Sequence, residues 1–225
     1  MNTVFASILL SCIIIVTYYY TCAYSKYRKG GAVVLELLFL SKQTTIYKTA
    51  KELGIPYTAI NRIVKGTTDL GKASVSLLVN LSKYLKISMD ELYNEYIMDK
   101  YIKESQWNTF ISNLQHQIKS EGELSFIRFC IISHFAERCF LNRQYDKGLY
   151  VVSAVDYLCR ISNIPLYSGY EEMRKWKLEE TKYPEDINQI HNSDLKEKLK
   201  RNCMEECLPE FKRANIMEKG VRHVI

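Results

Sequence analysis

Between Lys48 and Gly66 the chain reads KTAKELGIPYTAINRIVKG. Four residues in its second half, Tyr57, Thr58, Asn61 and Arg62, carry side chains suited to reading a hydrogen-bonding surface. An asparagine amide presents a donor and an acceptor together and matches N6 and N7 of adenine. An arginine fork matches O6 and N7 of guanine, and a threonine donates to phosphate or meets a thymine methyl. Tyr57 suits a phosphate or the face of a sugar. Around them Tyr47, Lys48, Lys65 and Lys72 are phosphate candidates, which position a ligand without specifying its sequence. Residues 42–86 hold eight lysines and arginines against two acidic residues, a net +6 that equals the formal charge of the whole chain. Clustered positive charge is the footprint expected of a phosphate-binding surface.

Such a face needs elements to hold it. Ala50 and Leu53 fit one side of a short helix, and Ala59, Ile60, Ile63 and Val64 fit one side of a second. Gly54 lies between them, where a residue free to take positive φ ends one helix and opens a tight turn. Pro56 is pre-set for the start of the second helix, Thr58 caps or begins it, and Gly66 ends it. A helical stretch over Leu35–Gln43 precedes the pair. The run KASVSLLVNLSKYLKIS follows, with Val75, Leu78, Val79, Leu81, Ser82 and Leu85 as a buried stripe. Ser88 and Glu91 then form a capping box for a fifth helix. Helix, short glycine-containing turn, helix is the unit that places a recognition helix in the DNA major groove.

With these residues in view, the segment resembles the Cro and phage-repressor type helix-turn-helix domain. TAKELGIPYTAINRIVKG places Ala50, Gly54 and Ile60 at that family's small, turn and core positions, and LSKYLKISMDELY is similar to its closing helices. The resemblance implies an all-α protein whose residues 34–96 form a five-helix lambda-repressor-like DNA-binding domain. It further implies a homodimer on a double-stranded DNA operator, with the helix 57–65 in the major groove and Tyr57, Thr58, Asn61 and Arg62 at its base-contacting positions. Tyr57 stands where the family commonly has glutamine, so adenine reading is not carried over there.

Beyond residue 96 the composition turns mildly acidic, and residues 87–225 net −2. Residues 97–182 read as a helical partner or dimerisation module. One helix is expected to end near Gly122, one to run over ELSFIRFCIISHFAERCFLNRQ, one over QYDKGLYVVSAVDYLCRISN, and a short fourth to follow Pro165. Residues 183–225 read as a charged amphipathic tail, broken at Pro209 and apolar at Val224 and Ile225. The layout is similar to two-gene toxin–antitoxin regulators, which implies a toxin as a protein partner for the C-terminal helices. An interaction module that keeps the helices without reading DNA is the alternative.

No catalytic residues are expected. His134 reads as a core histidine, the Asp156/Arg160 and Glu171/Glu172 pairs as helix-surface charges, and no nucleophile–base pattern or phosphate-cradling glycine loop appears. No cofactor and no metal are expected, since seven cysteines without a CxxC pair form neither a zinc ribbon nor a disulfide framework.

Residues 1–33 pose a separate question, because residues 2–25 carry no charge and Lys26, Arg28 and Lys29 follow. A bilayer-crossing helix needs about 20 residues, so a transmembrane anchor with the DNA-binding domain on the cytoplasmic side is one reading. The other is a mis-assigned start. Lys29-Gly30-Gly31 can be encoded as a bacterial ribosome-binding sequence ahead of an initiation codon at Val34 or Leu35. A cytoplasmic protein is expected in that case.

Overall fold

The computed structural model describes residues 38, 39 and 42–221. The uncharged segment, the candidate start sites at Val34 and Leu35, and the apolar tip Val224–Ile225 lie outside the described residues. Among the described residues the chain is all-helical, with eleven α-helices and one isolated parallel bridge, Lys182 to Ile216. No helix among them is long and apolar enough to cross a membrane. The described residues divide into two compact units, those up to 104 together with 141–143, and 105–140 together with 144–221.

In the first unit Leu38 and Phe39 are helical, followed by α1 (Ile46–Leu53), α2 (Tyr57–Val64), a 3-10 turn at Leu70–Lys72, α3 (Val75–Leu85) and α4 (Met89–Glu104). Phe39, Ala50, Ile60, Ile63, Val64, Leu70, Leu81, Leu85, Leu92 and Tyr96 close into one core. Fully burying an aliphatic side chain contributes about 1.5–3 kcal/mol, so Ile60, Ile63 and Val64 are enough to hold α2 by one face. The expected buried stripe on α3 holds at Leu81, Ser82 and Leu85, whereas Leu78 and Val79 are half-buried. Val75 is 70% exposed, because it is the first helical residue after the Ser74 cap. The Ser88/Glu91 capping box forms in both directions: Glu91 N–H donates to Ser88 Oγ at 3.0 Å, and Ser88 N–H donates to Glu91 Oε2 at 2.7 Å. The helix it starts runs through residue 96 to Glu104.

In the second unit α5 (Trp107–Glu121), α6 (Glu123–Ile132), α7 (Phe135–Leu141, its last residue assigned to the first unit), α8 (Tyr145–Ile161), α9 (Glu185–Asn188), α10 (Ser193–Glu206) and α11 (Pro209–Arg213) follow in order. Two expected helices are divided. The first breaks at Ser105–Gln106, and the second at His134, which takes φ 53°. The expected fourth helix is a pair of 3-10 turns, Ser168–Tyr170 and Met173–Lys175.

Helix α8 is buried without interruption from Lys147 to Asp156. A helix enclosed all round is central to its domain, and α8 packs against α6, α11 and the second 3-10 turn. Gly148 is required by this crowding, since a Cβ there would lie 2.4 Å from the Phe140 ring. The described part of the tail, 183–221, is part of this unit: Phe211, Ala214, Ile216, Met217 and Val221 are all buried, and the Phe211 ring meets Tyr150 edge-on at 5.0 Å.

Asp156 and Arg160 depart from the surface pair read in the sequence. Asp156 is 1% exposed and accepts from Arg174 Nε at 2.9 Å, Arg174 Nη2 at 2.8 Å and Arg213 Nη2 at 2.8 Å. Arg160 instead pairs with Glu210 at 2.6 Å. Removing one member of a buried ion cluster strands the others without compensation, at about 3–5 kcal/mol. Asp156→Ala is therefore expected to lower the urea-unfolding free energy by about that amount. A loss within the range of a surface substitution would contradict this role for Asp156.

Candidate functional site

The face predicted to read DNA is built from a glycine turn outward. Thr45 caps α1 by accepting the Lys48 N–H at 3.1 Å, and Ile46, Thr49 and Ala50 form the buried side of that helix. At its end Gly54 takes φ 64°, the Gly54 N–H bonds Lys51 O at 3.4 Å, and the Ile55 N–H bonds Ala50 O at 3.0 Å. This is the Schellman closure, with Ile55 packed back toward Ala50. A Cβ on Gly54 would meet no atom within 4 Å, so backbone conformation alone demands glycine here.

Pro56 then starts α2 with no side-chain cap, so Thr58 lies in the first turn and does not cap it. The Arg62 carbonyl receives three donors at the other end: Thr67 N–H at 2.9 Å, Thr68 N–H at 3.2 Å and Thr67 Oγ1 at 3.0 Å. Together with Gly66 at φ 70°, they fix the helix terminus while the Arg62 side chain stays exposed.

With Ile60, Ile63 and Val64 facing the core, Tyr57, Thr58 and Arg62 are exposed and Asn61 is half-buried. Tyr57 and Asn61 stand one turn apart and are linked, the phenol donating to Asn61 Oδ1 at 3.4 Å. That contact orients the amide, with its NH₂ group carrying two further donors. The Tyr47 ring lies 6.5 Å from the Tyr57 ring, so two exposed phenols from α1 and α2 share the surface.

The expected phosphate contacts differ among themselves. Lys65 and Lys72 are exposed and make no ion pair among the described residues. Lys48 instead lies 3.9 Å from Glu52. Glu52 in turn accepts the Tyr84 hydroxyl, which also bonds Thr44 Oγ1 at 3.1 Å.

Asp69 was not singled out in the sequence, yet it fixes the loop carrying Lys72. Its carboxylate accepts from Lys100 Nζ at 2.9 Å and from the Gly71 N–H at 2.9 Å. Those two donors, Lys100 first, hold its pKa down at about 2, from an ordinary 3.8. An aspartate before a glycine in TTDLG was the available signal; Lys100, on a distant helix, left none.

Elsewhere, Cys130, Cys139, Cys159, Cys203 and Cys207 are free and buried. Burial raises the thiol pKa of Cys130, Cys159, Cys203 and Cys207. No group of three or more metal-ligating side chains comes together among the described residues. His134 sits at the break before α7, with Nδ1 3.6 Å from Glu137 Oε1. No protein-family model, curated protein or solved structure matches the chain.

Two outcomes follow from this geometry. Gly54→Ala forces a Cβ into the left-handed region and should destabilise the first unit by about 1–2 kcal/mol, read by urea denaturation; an unchanged midpoint would refute the turn's demand for glycine. Because the folded-state pKa of Asp69 is depressed, its pair contributes stability above pH 3.8 and loses it as pH falls through about 2. The side-chain carbon resonance of Asp69 should titrate near 2, and Lys100→Gln should move that midpoint back toward 3.8. An unmoved midpoint would show that Lys100 does not hold the carboxylate.

Proposed function

We propose that the chain is a sequence-specific, double-stranded-DNA-binding regulator of transcription, a repressor acting as a homodimer, and that α2 enters the major groove. Tyr57, Thr58, Asn61 and Arg62 meet base edges; Tyr47, Lys48, Lys65 and Lys72 meet phosphates. One observation carries this reading. The polar face of α2 is held outward by three buried aliphatic residues, in a segment, residues 42–86, that nets +6. A helix serving only as packing has no need for Thr58, Arg62 and Lys65 to be free of acidic partners on a common surface. The Lys48–Glu52 pair makes Lys48 the weakest of the phosphate contacts, because its ammonium exchanges one anion for another. The helical second unit is the surface for a protein partner, a toxin if the chain belongs to a two-gene pair.

Selection of bound duplexes from a random pool tests the reading directly. It should return a palindrome with half-sites about one DNA turn apart, and affinity should fall steeply with salt. Arg62→Ala should weaken the selected site by about 1–3 kcal/mol and relax one base-pair position, whereas Lys65→Ala should weaken every sequence alike and flatten the salt dependence. Equal losses for both variants on selected and random DNA would overturn the base-reading assignment. The absence of any enriched sequence, with partner binding insensitive to salt, would favour a protein-interaction module.

A further inference from the structure

The second unit contains a cleft of about 690 Å³ between α5, α10, the segment 182–190 and the loop 216–220. This is the size of a site that encloses a small organic ligand or a few residues of a peptide. Its floor is apolar: Ile187, Cys203, Ile216 and Met217 are buried, and Ile111 and Leu199 are half-buried. Along one wall Asn108 and Ser112 lie one turn apart on α5, and Asn202 faces the cleft from α10. None of these three makes a side-chain hydrogen bond among the described residues. Side-chain amides and hydroxyls both donate and accept, which is what the alternating N–H and C=O groups of an extended backbone require.

The charges at the cleft are unequal. Glu185, Asp186, Glu206 and Glu218 line it, against Lys182 and Lys219. Both lysines are engaged: Lys182 pairs with Asp146 and covers the Trp107 ring at 3.9 Å, and Lys219 pairs with Glu206. Glu218 is turned inward, accepting from the Tyr150 hydroxyl at 3.2 Å. The exposed rim is therefore left with Glu185 and Asp186.

We infer that this cleft binds a short linear peptide carrying apolar and basic side chains. The apolar side chains fill the floor, Asn108, Ser112 and Asn202 bond its backbone, and Glu185 and Asp186 attract its positive charge. A peptide satisfies all three features together; a bare polycation uses only the rim. The inference stands independently of DNA recognition, since every residue it uses lies in the second unit.

The chain has two tryptophans, and Trp107 lines the cleft while Trp176 does not. Trp107 emission in the full chain bearing Trp176→Phe therefore reports occupancy. The probes are acetyl-Leu-Lys-Leu-Lys-Leu-Lys-amide, its Leu/Glu counterpart, and spermidine. The Leu/Lys peptide should shift Trp107 emission and bind about tenfold or more tightly than the Leu/Glu peptide. The double variant Glu185→Lys with Asp186→Lys, at exposed positions, should reverse that preference. Asn202→Phe, also exposed and without emission of its own at the tryptophan wavelength, should block the Leu/Lys peptide. Equal affinity for the two peptides, no emission change up to millimolar peptide, or full binding to the Asn202→Phe variant would each overturn the proposal. So would displacement of the peptide by an equal concentration of spermidine.

Discussion

The arrangement of the first unit depends on one backbone conformation. With Gly54 in the left-handed region, α1 closes on itself through the Ile55 and Gly54 amides and the chain reverses within three residues. That reversal brings Ile60, Ile63 and Val64 over Ala50, whose single methyl lets the two helices approach. The burial of those side chains then fixes the rotation of α2 about its axis. On a helix, the face turned toward solvent is the complement of the face turned inward. The exposure of Tyr57, Thr58 and Arg62 is therefore a consequence of the core, and any change that rotates α2 moves all of them at once.

The second unit is organised differently. Its centre is a helix enclosed on every side, and the polar group at its heart, Asp156, is held by arginines 18 and 57 residues further along the chain. A carboxylate so deeply buried is tolerated because charge-assisted hydrogen bonds reach both of its oxygens. Tyr150 shows the same economy six residues earlier on the helix. Its ring fills the space between Trp107 and Phe211, while its hydroxyl finds Glu218 and Gln115. Burial, reinforced by the Glu218 charge, raises the Tyr150 pKa well above the ordinary phenol value, so the ring stays neutral.

What the sequence made legible was local. Gly54, Pro56, Gly66 and the Ser88–Glu91 box act within a few residues of themselves, and periodicity marked Ile60, Ile63 and Val64 for the core. The breaks at Ser105 and His134 were not legible, because neither is a glycine or proline and the left-handed His134 is held by its surroundings. Asp156 looked like half of an i, i+4 surface pair because its real partners are brought to it by tertiary structure. The same holds for Asp69 and Lys100, and for the cleft, whose walls come from four separated stretches of chain. On the candidate face, residue identity was readable, but the Tyr57–Asn61 link and the engagement of Glu52 by both Lys48 and Tyr84 required coordinates.

The contact order of the second unit bears on how the protein is made. Gln115 on α5 reaches the carbonyl of Gly220 across 105 positions, Tyr150 is covered by Phe211, and the bridge at Lys182 is completed by Ile216. A ribosome releases these partners well after α5 and α8. Until then α5 and α8 have α6 against them but lack the covering side chains from 211–220. The glycine turn and the two helices it joins have no such delay: Ala50, Gly54 and Ile60 leave the tunnel within moments of one another. The first unit can close as it emerges, whereas the second must wait for Phe211, Ile216 and Gly220.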